Sequence, residues 1–397
     1  MTEWPRRIVV AGFGAAGLAV CKELRARGWP GRLTVLSEEA HPPYDRPPLA
    51  KGFLAGKTEP DQLRLASDED LAALDLALLP GAVATTLDTG RRVVTDSAGQ
   101  EHPYDALVVA TGVRPRTLGI RIGGGIHVLR TLEDAQQLRR AFASGRSLVV
   151  VGGGFLGLEV AASARTLGVE VTVVEPMTEP MRDRLGPQIA ARLVELHRAR
   201  GVRIIAGTGV TSVAPASASR PPQVQLADGA RLQAGVVLIA VGAEPVTGWL
   251  DGSGIELRDG VVCDERCQAG PGVWAAGDVA RWRHLVLGTD FRIEHRMNAT
   301  EQGRAVAAAI LGSERPFAPV PFFWTDQYEV RIQVAGLADA QLTPTLYHGD
   351  ERAGSFAVEW RGERLTGVAG WNAVRELMPA RRALLESWRS IAMGVAG

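Results

Sequence analysis

Twice in this chain a strand, a glycine turn, a helix and a second strand follow one another and end on an acid, and this repeat limits the possible folds more than any other feature. In the first copy, residues 6–11 read as a short buried strand and Gly12-Phe13-Gly14-Ala15-Ala16-Gly17 as the turn. Residues 18–27 form an apolar helix, and the second strand, 33–36, ends on Ser37-Glu38-Glu39. In the second copy the strand is 147–151, the turn Gly152-Gly153-Gly154-Phe155-Leu156-Gly157, the helix 158–167 and the last strand 171–175, ending on Glu175. The glycines have distinct uses. Gly12 permits the tight turn, Gly14 lets the backbone approach a pyrophosphate at the helix N-terminus, and Gly17 lets helix and strand pack closely. Ala15 lies in the same turn. Glu38, about 20 residues past the glycines, is placed to accept hydrogen bonds from an adenosine ribose. Gly152, Gly154, Gly157 and Glu175 repeat these offsets.

The rest of the chain fits around the repeat. Residues 41–51, with Pro42, Pro43, Pro47 and Pro48, exclude helix and central strand and form a stiff loop. Residues 61–79 read as irregular and then helical, and 93–100 as a strand and turn. A buried strand, 104–112, ends on Thr111-Gly112, and 113–125 behaves as a linker. Thr131 caps a helix with Glu133 and Asp134 in its first turn. Beyond the second glycine turn, 189–200 reads as helix and 202–205, 224–226 and 236–241 as strands. Another strand, 273–276, ends on Gly277-Asp278, and 299–311 is an Ala-rich helix. From residue 319 apolar and polar residues alternate, with a hairpin turn at 361–364, before a closing helix at 373–389. The expected fold class is α/β: two Rossmann-like dinucleotide-binding domains, one inserted in the other, plus a small C-terminal α+β domain. The expected boundaries are 1–112 and 243–319 for the outer domain, 113–242 for the inserted one and 320–397 for the last.

Two dinucleotide folds in one chain imply two dinucleotides that meet, most often a flavin and a nicotinamide. Composition removes other classes. The 44 Lys+Arg balance 44 Asp+Glu, so no net charge draws the chain to nucleic acid or membrane. No stretch reaches the roughly 18 apolar residues of a membrane span, and the N-terminus enters a strand with no apolar signal region. A cytoplasmic enzyme is expected. Cys21, Cys263 and Cys267 suit neither a disulfide scaffold nor zinc, and read as structural.

At this point the sequence resembles the FAD- and NADH-dependent ferredoxin reductases of bacterial oxygenase systems, of the putidaredoxin reductase and biphenyl dioxygenase reductase type, with a glutathione reductase-like fold. The resemblance spans nearly the whole chain. It rests on 12–17, on Tyr44-Asp45-Arg46-Pro47-Pro48-Leu49-Ala50-Lys51 and on Ala110-Thr111-Gly112. It continues through 152–159, Gly277-Asp278, Glu294-His295 with Asn298-Ala299, and Phe323-Trp324-Thr325-Asp326-Gln327-Tyr328. It implies that Gly12, Gly14, Ala15, Gly17, Glu38, Arg46, Lys51, Val83, Thr111, Gly112, Arg130, Asp278 and Trp324 bind FAD. Gly152, Gly154, Gly157, Glu159 and Glu175 would bind the nicotinamide nucleotide, Glu175 selecting NADH by repelling a 2′-phosphate. Lys51 and Glu159 are the expected catalytic pair: an ammonium near the flavin N5 edge and a carboxylate facing the carboxamide. The plainer alternatives are a solvated Lys51, a helix-dipole role for Glu159, an N-cap Asp278 and a core Trp324.

The resemblance further implies hydride transfer from NADH to FAD, then single electrons to a small [2Fe–2S] or [3Fe–4S] ferredoxin that serves a monooxygenase or dioxygenase. The alternatives are an NADH oxidase or monodehydroascorbate-type reductase, and an NADH-binding signalling flavoprotein. Where many relatives carry Trp after Glu-His, this chain has Arg296. With Arg281, Arg283, Arg304 and Arg315, it is a candidate for a basic rim that meets an acidic ferredoxin.

Overall fold

The structure is a computed structural model that describes residues 4–395 except 145, 146, 218, 340, 351 and 353. Two parallel sheets grow from the two glycine-turn units. The first has the order Gln268–Gly270, Val273–Ala275, Ala106–Val109, Arg7–Ala11, Arg32–Ser37, Leu76–Pro80, and only its Gln268–Gly270 edge is antiparallel. The parallel register carries the ends of four strands to one edge, the place where such sheets bind ligands. That edge gathers Gly12, Glu38, Thr111 and Asp278. Leu76–Pro80 falls in the stretch expected to be helical. The helix there is only Asp68–Ala72, and the five-residue apolar run after it is too short for another, so it joins the sheet as an edge strand.

The second sheet has the order Arg203–Ala206, Glu170–Glu175, Ser147–Val151, Val236–Ile239, Ile126–His127, all parallel. The chain enters and leaves this region through two short strands, Val113–Pro115 and Ala243–Pro245, which pair antiparallel with each other. The C-terminal sheet is antiparallel, in the order Phe322–Gln327, Val330–Gly336, Leu365–Trp371, Phe356–Arg361, Thr345–Gly349. The helix Val374–Val395 packs on it through Leu377, Ala380, Leu384 and Trp388.

Helices start earlier than the apolar pattern suggests. Ala15–Ala26 and Phe155–Thr166 begin directly after Gly14 and Gly154, so that Gly17 and Gly157 lie inside them. A Cβ on Gly17 would strike the Gly12 carbonyl, and one on Gly157 the Gly152 carbonyl. Helix 299–311 likewise starts three residues sooner, as Arg296–Ile310. It crosses Ala15–Ala26 at Gly303, where a Cβ would come within 2.5 Å of the Ala16 carbonyl oxygen. The long helix Arg182–Ala199 is broken at Gly186, φ 74°, which accepts the edge of Trp360 from the C-terminal sheet. One continuous apolar core joins Leu49, Phe53 and Leu54 of the proline loop to Val150, Leu158 and Leu193 of the second sheet layer and to Ile332, Val358 and Trp371 of the C-terminal sheet. The proline loop is thereby fixed from two sides. Among the described residues no helix is long and apolar enough to cross a membrane.

Candidate functional site

A cavity of about 1260 Å³ opens where the three sheets meet. Single small-molecule pockets usually hold about 300–1,000 Å³, so this one has room for more than one such ligand. Gly12, Gly14, Ala15, Glu38, Arg46, Lys51, Val83, Thr111, Gly112, Arg130, Gly154, Glu159, Asp278 and Trp324 all line it. The four sequence-expected residues outside the lining are Gly17, Gly152, Gly157 and Glu175. Gly17, Gly152 and Gly157 serve the turns from behind, by close packing.

The first glycine turn is built to approach a ligand. Gly12 has φ 107°, and a Cβ there would run into the Ala110 carbonyl. At Gly14 a Cβ would meet no protein atom within 4 Å, so its bare Cα faces the cavity. The helix that starts at Ala15 has no side-chain cap at Gly14, and its first backbone N–H groups stay available to an anion. The indole N–H of Trp249 and Nδ1 of His295, both on cavity-lining residues, are buried without a protein partner. Buried polar atoms without partners are rare. With the glycine cradle, these atoms fit a large polar dinucleotide such as FAD.

Acid and base residues face one another across the cavity. Lys51 Nζ lies 3.1 Å from Glu159 Oε1, and Thr325 donates to the same oxygen at 2.6 Å. Lys51 follows the short helical turn Pro47–Ala50 and Glu159 stands on Phe155–Thr166, so the pair bridges the first unit and the second. Burial pushes the Glu159 carboxyl up, while Lys51 and the Thr325 hydroxyl pull it down and Asp326 adds to the rise. Sequence reasoning named both partners but not their contact, which depends on a loop and a helix more than 100 residues apart.

A second network was not foreseen. Arg46 turns its donors onto the Glu39 carboxylate, the Tyr44 hydroxyl and the Arg130 carbonyl, the last at 2.8 Å. Tyr44 in turn donates to Glu39, and its oxygen accepts the Leu132 N–H at 3.0 Å. Arg130 donates to Asp278 at 3.0 Å, so Asp278 serves as a charged partner here rather than as a helix cap. The signal was present in Glu39, directly after Glu38, and in Tyr44 ahead of the proline run. Val83 gives its backbone N–H to Ser97 at 3.3 Å, and Thr111 its hydroxyl to the Val246 carbonyl at 2.8 Å. His295 packs against Phe323 at 4.9 Å between ring centroids, and burial pushes it down to about 4, so it is neutral.

Glu175 closes the second glycine turn from below, accepting the Gly153 N–H at 2.7 Å and the Met177 N–H at 2.9 Å. Arg296 is clamped between Asp45 and Thr300, which removes it from a free basic rim. Arg281 faces Asp259 at 3.7 Å and Arg283 faces Asp290 at 3.8 Å. The cysteines are buried and free, and none lines the cavity. Burial pushes Cys21 and Cys267 up to about 12 and Cys263 well above its usual value, so none is a poised thiolate. Among the described residues no cluster of His, Cys, Asp and Glu could hold a metal ion.

Comparison with known proteins agrees with this geometry. The pyridine nucleotide-disulphide oxidoreductase family model matches residues 6–303 and the reductase C-terminal model residues 322–393. The chain is 35% identical to putidaredoxin reductase of Pseudomonas putida, over 96% of this chain and 92% of that one. It is 36% identical to the ferredoxin–NAD(+) reductase component of the biphenyl dioxygenase system of Paraburkholderia xenovorans, over 94% of this chain and 92% of that one. Its fold matches the crystal structure of the covalent putidaredoxin reductase–putidaredoxin complex with a TM-score of 0.91 and 33% identity, covering 97% of this chain and 94% of that one. Two glycine turns around one cavity, near-complete coverage and both family models lead to one assignment: the chain belongs to the pyridine nucleotide-disulphide oxidoreductase family.

Proposed function

We propose that the chain is an NADH-dependent ferredoxin reductase: it takes hydride from NADH onto bound FAD and passes electrons singly to a small [2Fe–2S] or [3Fe–4S] ferredoxin serving a monooxygenase or dioxygenase in the cytoplasm. The observation that carries this reading is the Lys51–Glu159 pair, 3.1 Å apart, in a cavity whose lining holds two glycine turns and no cysteine. A dithiol-dependent member of the family needs a thiol there. The domains proposed are 1–112 with 243–319 for FAD, 113–242 for NADH and 320–397 as the C-terminal domain. The separate sheets and the paired strands Val113–Pro115 and Ala243–Pro245 support that division.

Bound FAD supplies two-electron acceptance from NADH and one-electron release to an iron–sulfur cluster. The residues supply the rest. Gly12, Gly14, Ala15 and Gly17 form the pyrophosphate cradle and Glu38 receives the ribose. Asp278, oriented by Arg130, takes the ribityl hydroxyls, while Thr111 and Gly112 shape the wall beside them. Arg46 fixes the loop that presents Lys51, Val83 borders the adenine, and Trp324 covers the pyrimidine end of the flavin ring. The Lys51 ammonium would place positive charge beside a bound flavin, a preorganised electrostatic role. Glu159 orients the nicotinamide carboxamide above Gly152, Gly154 and Gly157. Glu175 receives the ribose hydroxyls of NADH and repels a 2′-phosphate.

Stopped-flow reduction by NADH followed by cytochrome c turnover tests the proposal. Fast flavin reduction with turnover only when an iron–sulfur ferredoxin is added is the expected result. Turnover with oxygen or a quinone alone would identify an oxidase or small-molecule reductase, and slow reduction to a long-lived charge-transfer complex a signalling protein.

A further inference from the structure

Residues 325–328 take no part in lining the cavity, yet Thr325 and Gln327 are each 1% exposed, and His197, which meets Gln327, is fully buried. The three side chains, with Tyr328, form a chain that ends on the active pair. The Tyr328 hydroxyl lies 3.4 Å from His197 Nδ1. His197 Nε2 lies 2.6 Å from Gln327 Oε1, Gln327 Nε2 donates to Thr325 Oγ1 at 3.1 Å, and Thr325 Oγ1 donates to Glu159 Oε1 at 2.6 Å. The placement of the Gln327 amide sets the direction. An amide oxygen only accepts, so His197 carries its proton on Nε2 and accepts the Tyr328 hydroxyl at Nδ1. An amide NH₂ only donates, so Thr325 accepts from Gln327 and gives its own proton to Glu159. A flipped Gln327 amide would draw that proton away and turn the hydroxyl lone pair toward the carboxylate. Every donor in the chain therefore points at Glu159.

Four elements meet along this line. His197 stands on the helix Arg182–Ala199, Thr325 and Gln327 on the strand Phe322–Gln327, Glu159 on Phe155–Thr166, and Lys51 on the proline loop. We propose that His197, Gln327 and Thr325 are positioning residues that keep Glu159 ionised and turned onto Lys51, so that the seating of the C-terminal sheet on the second sheet layer sets the charge state of the cavity. This rests on the reading of the cavity given above. The charged groups that act on Glu159 are Lys51, which favours its ionised form, and Asp326, which opposes it. At the outer end, Arg165, Arg200 and Glu329 surround Tyr328. Burial keeps His197 neutral against the pull of Gln327, so the chain ends in neutral donors rather than in a second charge. Hydrogen bonds polarise one another along such a chain.

The test uses the FAD-loaded enzyme and two readouts. One is the protonated-carboxyl infrared band of Glu159, assigned by its loss in E159Q and titrated against pH without NADH. The other is the acid limb of flavin reduction by NADH. Removing the donor that favours the carboxylate raises its pKa, so T325V moves both midpoints up by about one pH unit, the size expected for a charge-assisted hydrogen bond. Q327L and H197L move them the same way by less. T325S restores the hydroxyl and H197Q keeps a donor at the Nε2 position, and both return to the wild-type midpoint. Unchanged midpoints in T325V, or H197Q indistinguishable from H197L, overturn the proposal. If NADH does not reduce the wild-type flavin, the functional reading fails, while the infrared titration still decides the relay.

Discussion

Glu175 shows how one carboxylate does two jobs. It ties down the second glycine turn through Gly153 and Met177, and the proposed function gives its charge a second task, repelling a 2′-phosphate. E175Q keeps the size, gives up one of the two backbone N–H bonds and removes the charge, so the NADPH/NADH ratio of kcat/KM is expected to rise about tenfold, the scale of one lost charge-assisted contact. Steady-state kinetics with both nucleotides measures it. In the proposed reaction Lys51 acts through its charge. K51M is expected to slow flavin reduction by NADH roughly 10²–10³-fold, as when a preorganised electrostatic group is removed, with FAD retained, in stopped-flow traces at saturating NADH. At this scale a place on the cavity was legible where a residue type and an offset sufficed, as for Gly12, Gly14, Gly154, Glu38 and Asp278. The sequence was not legible where a contact joins distant segments. The union of Lys51 with Glu159 and the clamp of Arg296 by Asp45 both depend on the register of a loop against a helix, which no local pattern encodes.

Within the first glycine turn, close packing and exposure to the cavity fall to different residues. G12A forces a Cβ against the Ala110 carbonyl at a left-handed φ, so it is expected to lower apo-protein stability by roughly 3 kcal/mol. G14A adds a methyl where no protein atom lies within 4 Å. Its apo form should melt within about a degree of wild type while FAD retention falls at least tenfold, since the methyl occupies the approach to the pyrophosphate. Calorimetry of apo-protein and flavin absorbance after gel filtration separate the two effects. Element types were legible because period and punctuation agree along both units. Starts were less so, because Ala15 and Phe155 enter helices directly after a glycine that carries no capping side chain. Leu76–Pro80 was hidden because a half-buried edge strand of five residues has neither alternation nor length to mark it.

For the molecule as a whole, burial holds His127, His197, His284 and His295 below their ordinary pKa. Each would bind a proton in the unfolded chain near pH 6.5 but not in the folded one. Between that value and the lowered folded ones the unfolded state binds more protons, so stability rises with pH there and falls on acidification. Melting scans of apo-protein are expected to show Tm dropping from pH 7.5 to pH 5, with H284Q reducing the slope. The strand order of the first sheet bears on synthesis as well. Ala106–Val109 lies between Arg7–Ala11 and Val273–Ala275, so on the ribosome its outer side stays unpaired until residue 275 has emerged. At about 5–20 residues per second, that leaves roughly ten seconds or more, during which the second sheet can complete itself with Val236–Ile239. The nucleotide-turn unit encoded in the middle of the chain is therefore finished first, and the one encoded at the beginning is finished last. Nascent chains arrested where Val236–Ile239 has left the ribosome but Val273–Ala275 has not should yield a protease-resistant core from the middle of the sequence, with the N-terminal strands still open to cleavage.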